Sequence, residues 1–206
     1  MINILARNLL PLLAMSAGAL LAAEDRTAVM EAMHHDNPLA MSMAENLNAA
    51  DREIKVDFEL LGIDGKPVTD EDFRGRYLLL TFGFTHCEHI CPMMGATIGR
   101  VLENTDIPAA GLFISIDPER DTPAITHRYA QLFSDAFIGA SGNYDAINRA
   151  AENFLISYVV TKTQQSYTVS HTANIFLVSP EGEFLEIFPL NATPDEIDTA
   201  LKGFAH

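Results

Sequence analysis

From residue 55 onward the apolar positions switch repeatedly between the period of a strand and that of a helix. VDFELLGIDGKPVT, residues 56–69, predicts two short strands joined through the turn residues Asp64 and Gly65. YLLLTFGF, residues 77–84, is a nearly continuous apolar run, the pattern of a central strand covered on both faces. A helix follows over 92–103, and a second buried strand over 111–116. DTPAITHRYAQLF opens another helix, with Asp121 or Thr122 as its cap and Pro123 in its first turn. Residues 143–154 read as a further helix. Residues 172–179 and 183–188 flank the turn PEGE and predict an antiparallel hairpin. Thr193, Pro194 and Glu196 form a capping box for a last helix.

A β-α-β unit followed by a helix, a β-hairpin and a final helix is the layout of a thioredoxin-like fold. The expected class is therefore α/β: a central mixed sheet flanked by helices, with an N-terminal hairpin extension. In such sheets the carboxyl ends of the parallel strands form the binding edge. Cys87 and Cys91 lie just past one such end, and Asp117 lies past the next. His171, at the start of the predicted hairpin strand, reaches the same edge if that strand runs antiparallel to residues 77–84.

The segment between the first buried strand and its helix, FTHCEHICPMM, concentrates the chemistry. It holds both cysteines, two of seven histidines and two of eight methionines. Pro92 fits only near a helix start, because deeper inside it would lack the donor and clash with the preceding turn. The positive end of that helix therefore faces the sulfurs and favours thiolate. Two sulfurs and one imidazole suit copper better than hard cations, since soft sulfur selects Cu(I) and imidazole also admits Cu(II). Zinc would require a fourth ligand, for which His89 or a water is a candidate.

With 206 residues, the chain is long enough for one sizeable core. A net charge of −15 argues against nucleic acid or an anionic membrane surface as the main partner. Near the N-terminus, Arg7 precedes an apolar run ending in small residues, so residues 1–23 read as a signal peptide or membrane anchor, with 8–23 as the anchoring stretch. Residues 24–50 form a tether holding four methionines with His34 and His35. Its thioethers and imidazoles make it a candidate copper-collecting arm as well as a plain linker. The domain proper is expected over 51–206.

FGFTHCEHICP, FISIDPERDTP and YTVSHTANIFLVSPEGE resemble the three landmark segments of the Sco/SenC family, in matching order and spacing. The resemblance implies an exported, thioredoxin-like, copper-binding protein of the periplasm or outer face of the inner membrane. It implies copper ligands at Cys87, Cys91 and His171, with Asp117 close by as a supporting group. It also implies a role in assembling the copper centre of cytochrome c oxidase, as copper chaperone or as thiol reductase. Partners would be the copper-containing oxidase subunit, together with other copper chaperones or thiol reductants. Where the family usually has proline and aspartate between the cysteines, this chain has Glu88 and His89, and His89 is a candidate extra ligand.

Two other readings of the cysteines stand beside the metal site. A structural disulfide across so short a loop would constrain the unfolded chain little. A redox-active dithiol, Cys87 and Cys91, would make the protein an extracytoplasmic thiol-disulfide oxidoreductase. Against that, such enzymes of this fold generally carry Cys-x-x-Cys with a proline opposite, where this chain has three intervening residues and His171.

Overall fold

The computed structural model describes residues 53–205. The signal or anchor at 1–23 and the tether at 24–50 lie outside them. Among the described residues, no helix is long and apolar enough to cross a membrane.

Strands β1 (Glu59–Leu61) and β2 (Pro67–Thr69) pair antiparallel as the expected N-terminal hairpin. Gly65 turns between them at φ 73°, a conformation that glycine adopts without a Cβ clash. The centre is a mixed five-stranded sheet built from β3 (Tyr77–Gly83), β4 (Ala109–Ser115), β5 (Phe137–Ala140), β8 (Asn174–Val178) and β9 (Phe184–Pro189). Its order is β5-β4-β3-β8-β9, with β3, β4 and β5 parallel and β8 antiparallel to both β3 and β9. Helices α1 (Ile90–Asn104), α2 (Pro123–Ala130), α3 (Tyr144–Asn153) and α4 (Pro194–Phe204) complete the thioredoxin-like arrangement.

All seven residues of β3 are buried, as a strand covered on both faces must be. Its side chains divide by the strand period: Leu78, Leu80 and Phe82 enter one core, Tyr77 and Leu79 the other. The first core is closed by α3 and the N-terminal hairpin, and centres on Phe82, Phe154 and Phe176, whose rings lie 5.2–6.4 Å apart. The second lies under α1 and α4 and includes Cys91, Met94, Ile98 and Ile197. Of the methionine pair after Pro92, Met94 is fully buried and Met93 is 56% exposed.

The helix starts follow from local chemistry. Thr122, not Asp121, caps α2, accepting from the Ile125 N–H. Asn143 caps α3, and the Thr193–Glu196 capping box forms at α4. Helix α1 begins two residues before Pro92, which then occupies a first-turn position where its missing N–H leaves no gap.

Two features depart from the sequence reading. Strand β5 is a four-residue apolar stretch too short to show a period. Strands β6 (Tyr158–Lys162) and β7 (Tyr167–His171) form a separate antiparallel hairpin between α3 and β8. His171 therefore closes β7 opposite Tyr158, and the antiparallel strand β8 begins three residues later, at Asn174.

Candidate metal centre

Residues 84–89 carry the chain from the end of β3 to the start of α1. Cys87 donates its N–H to the Phe84 carbonyl at 3.3 Å, which folds the loop back so that its own sulfur faces the helix. The Cys91 N–H, in the first turn of α1, points to Cys87 Sγ at 3.4 Å. Both thiols are free, Cys87 partly exposed and Cys91 buried. Burial works to raise the Cys87 pKa, yet the Cys91 amide, the Cys91 thiol and the amides of His89 and Ile90 outweigh it and hold that thiol below its ordinary value. Burial, followed by the proximity of Cys87 and of the Asp121 charge, pushes the Cys91 thiol up, against a backbone amide at Phe84 that favours its thiolate. The helix start thus activates one thiol, and burial suppresses the other.

Close packing sets the position of the second sulfur. A Cβ on Gly83 would lie 2.8 Å from Cys91 Sγ and 2.9 Å from the tip of the Phe113 ring. Only glycine lets β3 pass so near the cysteine.

His171 comes to this edge from the far end of the chain. Its Nε2 stands 3.7 Å from Cys91 Sγ, across a sequence separation of 80 residues. Its Nδ1 is 2.8 Å from the Thr172 carbonyl, which can only accept, so Nδ1 carries the proton and the Nε2 lone pair is free toward the sulfur. Burial lowers the His171 pKa and so favours the neutral imidazole, while the bond to that carbonyl works the other way. An imidazole fixed by a backbone carbonyl on its far nitrogen is the arrangement that metal-ligating histidines ordinarily show. The Phe84 ring meets the imidazole edge to face at 6.0 Å.

The donor set is soft, oriented and partly shielded from water, and so fits a copper ion. Among the described residues, no three Cys, His, Asp or Glu side chains are drawn together tightly enough to hold an ion as they stand. Cys91 contacts both Cys87 and His171, so closing the set requires the Cys87 sulfur and the imidazole to approach across it.

Asp117 is fully buried but does not touch the cysteines. Its carboxylate accepts from Arg120 Nε at 2.5 Å and from the Tyr167 hydroxyl at 2.5 Å. Arg120 lies over the Tyr167 ring at 3.9 Å and over the Phe84 ring at 5.7 Å. Lys162 pairs with Glu119, and the Tyr158 hydroxyl bonds Asn148 at 2.5 Å. Asp117 is therefore a clamp on the hairpin that ends in His171.

The residue that sequence reasoning missed is Asp121. Fully buried, it accepts from the Thr85 N–H at 2.8 Å, the Thr85 hydroxyl at 2.6 Å and the Ser115 hydroxyl at 2.7 Å, with His86 Nδ1 at 3.6 Å. It looked like a helix cap, but it anchors the cysteine loop, and no periodic signal marks that role. His86 bonds locally to Thr85, and His89 stands exposed at the N-terminal cap of α1.

The sequence profile of SCO1/SenC matches residues 47–206. The chain belongs to the SCO1/SenC family. Protein SCO1 homolog 1, mitochondrial, of Arabidopsis thaliana is 34% identical over 166 residues, covering 78% of this chain and 50% of that protein. The chain thus spans about half the length of that mitochondrial relative. The structure of Bradyrhizobium japonicum ScoI with copper bound has a TM-score of 0.66 and 35% identity, covering 74% of this chain and 99% of that one. BsSco, a member of the Sco family of cytochrome c oxidase assembly proteins in which a disulfide switch was identified, has a TM-score of 0.57 and 27% identity, covering 73% and 92% respectively.

Proposed function

We propose that this SCO1/SenC protein binds copper through Cys87, Cys91 and His171 and passes it, outside the cytoplasm, to the copper-bearing subunit of cytochrome c oxidase during assembly. The observation that carries the proposal is the approach of His171 Nε2, deprotonated and oriented, to Cys91 Sγ beside a second free thiol. Relatives whose structures hold copper, and a relative among the cytochrome c oxidase assembly proteins, support it. Delivery proceeds by ligand exchange, since a partly exposed Cys87 thiolate can be shared with an incoming acceptor. A signal or anchor at 1–23 would export the domain and hold it near the oxidase.

A second reading rests on the contrast between the thiols. Cys87, exposed in part and with its pKa lowered, can attack a disulfide, and buried Cys91 can resolve the mixed disulfide. The protein would then reduce the cysteines of the acceptor's copper site before or instead of loading them.

The test is a copper titration of the reduced protein, read by sulfur-to-copper charge transfer for Cu(II) and by chelator competition for Cu(I). One tight equivalent, lost in Cys87→Ser and in His171→Ala, is expected. No specific copper binding, with a readily reversible Cys87–Cys91 disulfide, would overturn delivery in favour of thiol exchange.

A further inference from the structure

The two sulfurs of the centre differ in access. Cys91 is fully buried between α1 and β3, whereas Cys87 is partly exposed, so an ion arriving from water meets Cys87 first. Two further soft donors stand in the same turn. His89 is exposed at the N-terminal cap of α1, with no capping bond from its side chain. Met93, one turn on, donates its N–H to the His89 carbonyl at 3.3 Å, which sets the two residues one above the other on the helix surface. Its neighbour Met94 is buried and bonded by the Thr81 hydroxyl, so the chain presents one thioether to the core and the other to solvent beside the thiol. The Cys87 sulfur stands at the head of the same helix, where it accepts from the Cys91 N–H at 3.4 Å.

We propose that Cys87, His89 and Met93 form an entry site for Cu(I), from which the ion passes inward to Cys87, Cys91 and His171. The proposal rests on the copper-binding reading and specifies its route. Thiolate, imidazole and thioether are the ligands that Cu(I) prefers, and thioether binds weakly enough to exchange. In the transfer Cys87 stays bound, Met93 and His89 leave, and His171 and the Cys91 thiolate replace them. The Cys91 proton goes to the buffer, and copper stays Cu(I), so no electron moves. Both donors lie on the surface, so their removal spares the core and the buried ligands.

The test uses the full reduced chain and Cu(I) bicinchoninate as donor, with transfer followed by stopped flow and affinity by equilibrium competition. His89→Asn with Met93→Leu is expected to slow transfer about tenfold while leaving the final affinity within about twofold. In a Cys91→Ser, His171→Ala background, X-ray absorption should show a weakly held Cu(I) with sulfur and nitrogen neighbours, weakened again by Met93→Leu. Unchanged transfer in the double variant, with wild-type affinity intact, overturns the entry site alone. A wild-type protein that takes up no tight copper overturns the entry site together with the reading beneath it.

Discussion

Asp121→Asn probes the anchor of the cysteine loop at nearly constant shape. In the native protein Oδ2 accepts from the Thr85 N–H and the Ser115 hydroxyl, and Oδ1 accepts from the Thr85 hydroxyl. If the asparagine amide replaces Oδ2, it faces the Thr85 N–H donor to donor. Leaving that buried amide unpaired costs about 1–3 kcal/mol. If the amide replaces Oδ1, the Thr85 hydroxyl can turn to accept from it and donate to His86 Nδ1, 3.2 Å away. Only the charge-assisted part of the bonds is then lost, about 0.5–1.5 kcal/mol. The second arrangement wins, so Asp121→Asn should cost about 1 kcal/mol of stability. Asp121→Ala strands all three donors and should cost about 3–5 kcal/mol. Thr85 lies between Phe84, which packs on His171, and Cys87, so both variants should also weaken Cu(I) binding, the alanine more. Urea unfolding measures the first effect and chelator competition the second. An Asp121→Ala protein within about 0.5 kcal/mol of wild type, with unchanged copper affinity, would refute the anchoring role.

Gly83→Ala inserts a methyl between Cys91 Sγ and the Phe113 tip, which is held by Tyr129 and Phe137, so the sulfur must move. Thermal unfolding should show about 1–3 kcal/mol of destabilisation, and Cu(I) affinity should fall with it; unchanged affinity would mean that this sulfur is not a ligand. Tyr167→Phe removes one of two donors to buried Asp117 and slackens the hairpin bearing His171. It should cost about 1–2 kcal/mol and several-fold in copper affinity by the same assays, and an effect on neither would dismiss the clamp. In the reduced apoprotein, iodoacetamide should label Cys87 before Cys91, as read by peptide mass spectrometry. Because the folded pKa of Cys87 is lowered, its thiolate should persist below the usual thiol value of about 8.5, and reactivity should fall only as pH drops through that lower pKa; faster labelling of Cys91 would contradict this order.

Much of this was legible in the sequence because it rests on local rules. The apolar run of β3, the Thr193–Glu196 box and Pro92 at the head of α1 each act within a few residues, and each forms as read. The convergence of His171 on the cysteine edge was foreseeable from an antiparallel β8, and β8 does pair that way with β3. The β6–β7 hairpin was the loss. YVVTK and YTVSH alternate as strands do, but half of their positions face solvent and they pair only with each other, so the apolar signal is thin. Asp121 was hidden for a different reason. A carboxylate beside a threonine and a proline at a helix start has the local signature of a cap, and only tertiary packing shows it turned inward to Thr85 and Ser115.

The placement of His171 sharpens the choice between copper delivery and thiol exchange. Were the imidazole beside Cys87, it would serve either chemistry, as ligand or as activating base. It stands instead against Cys91, the buried thiol with the raised pKa, while Cys87 takes its activation from the amides of the helix start and from the Cys91 thiol. The first attack on a disulfide therefore needs no histidine. His171→Ala should leave formation of the mixed disulfide at Cys87 near the wild-type rate, and can slow only its resolution by Cys91. A copper site loses one of three donors in the same variant and should bind far more weakly. Single-turnover thiol exchange and copper competition on His171→Ala thus separate the readings: tight copper retained would exclude the imidazole as ligand, and a slowed first attack would show it acting on Cys87 across a gap that the hydrogen-bonded loop does not bridge.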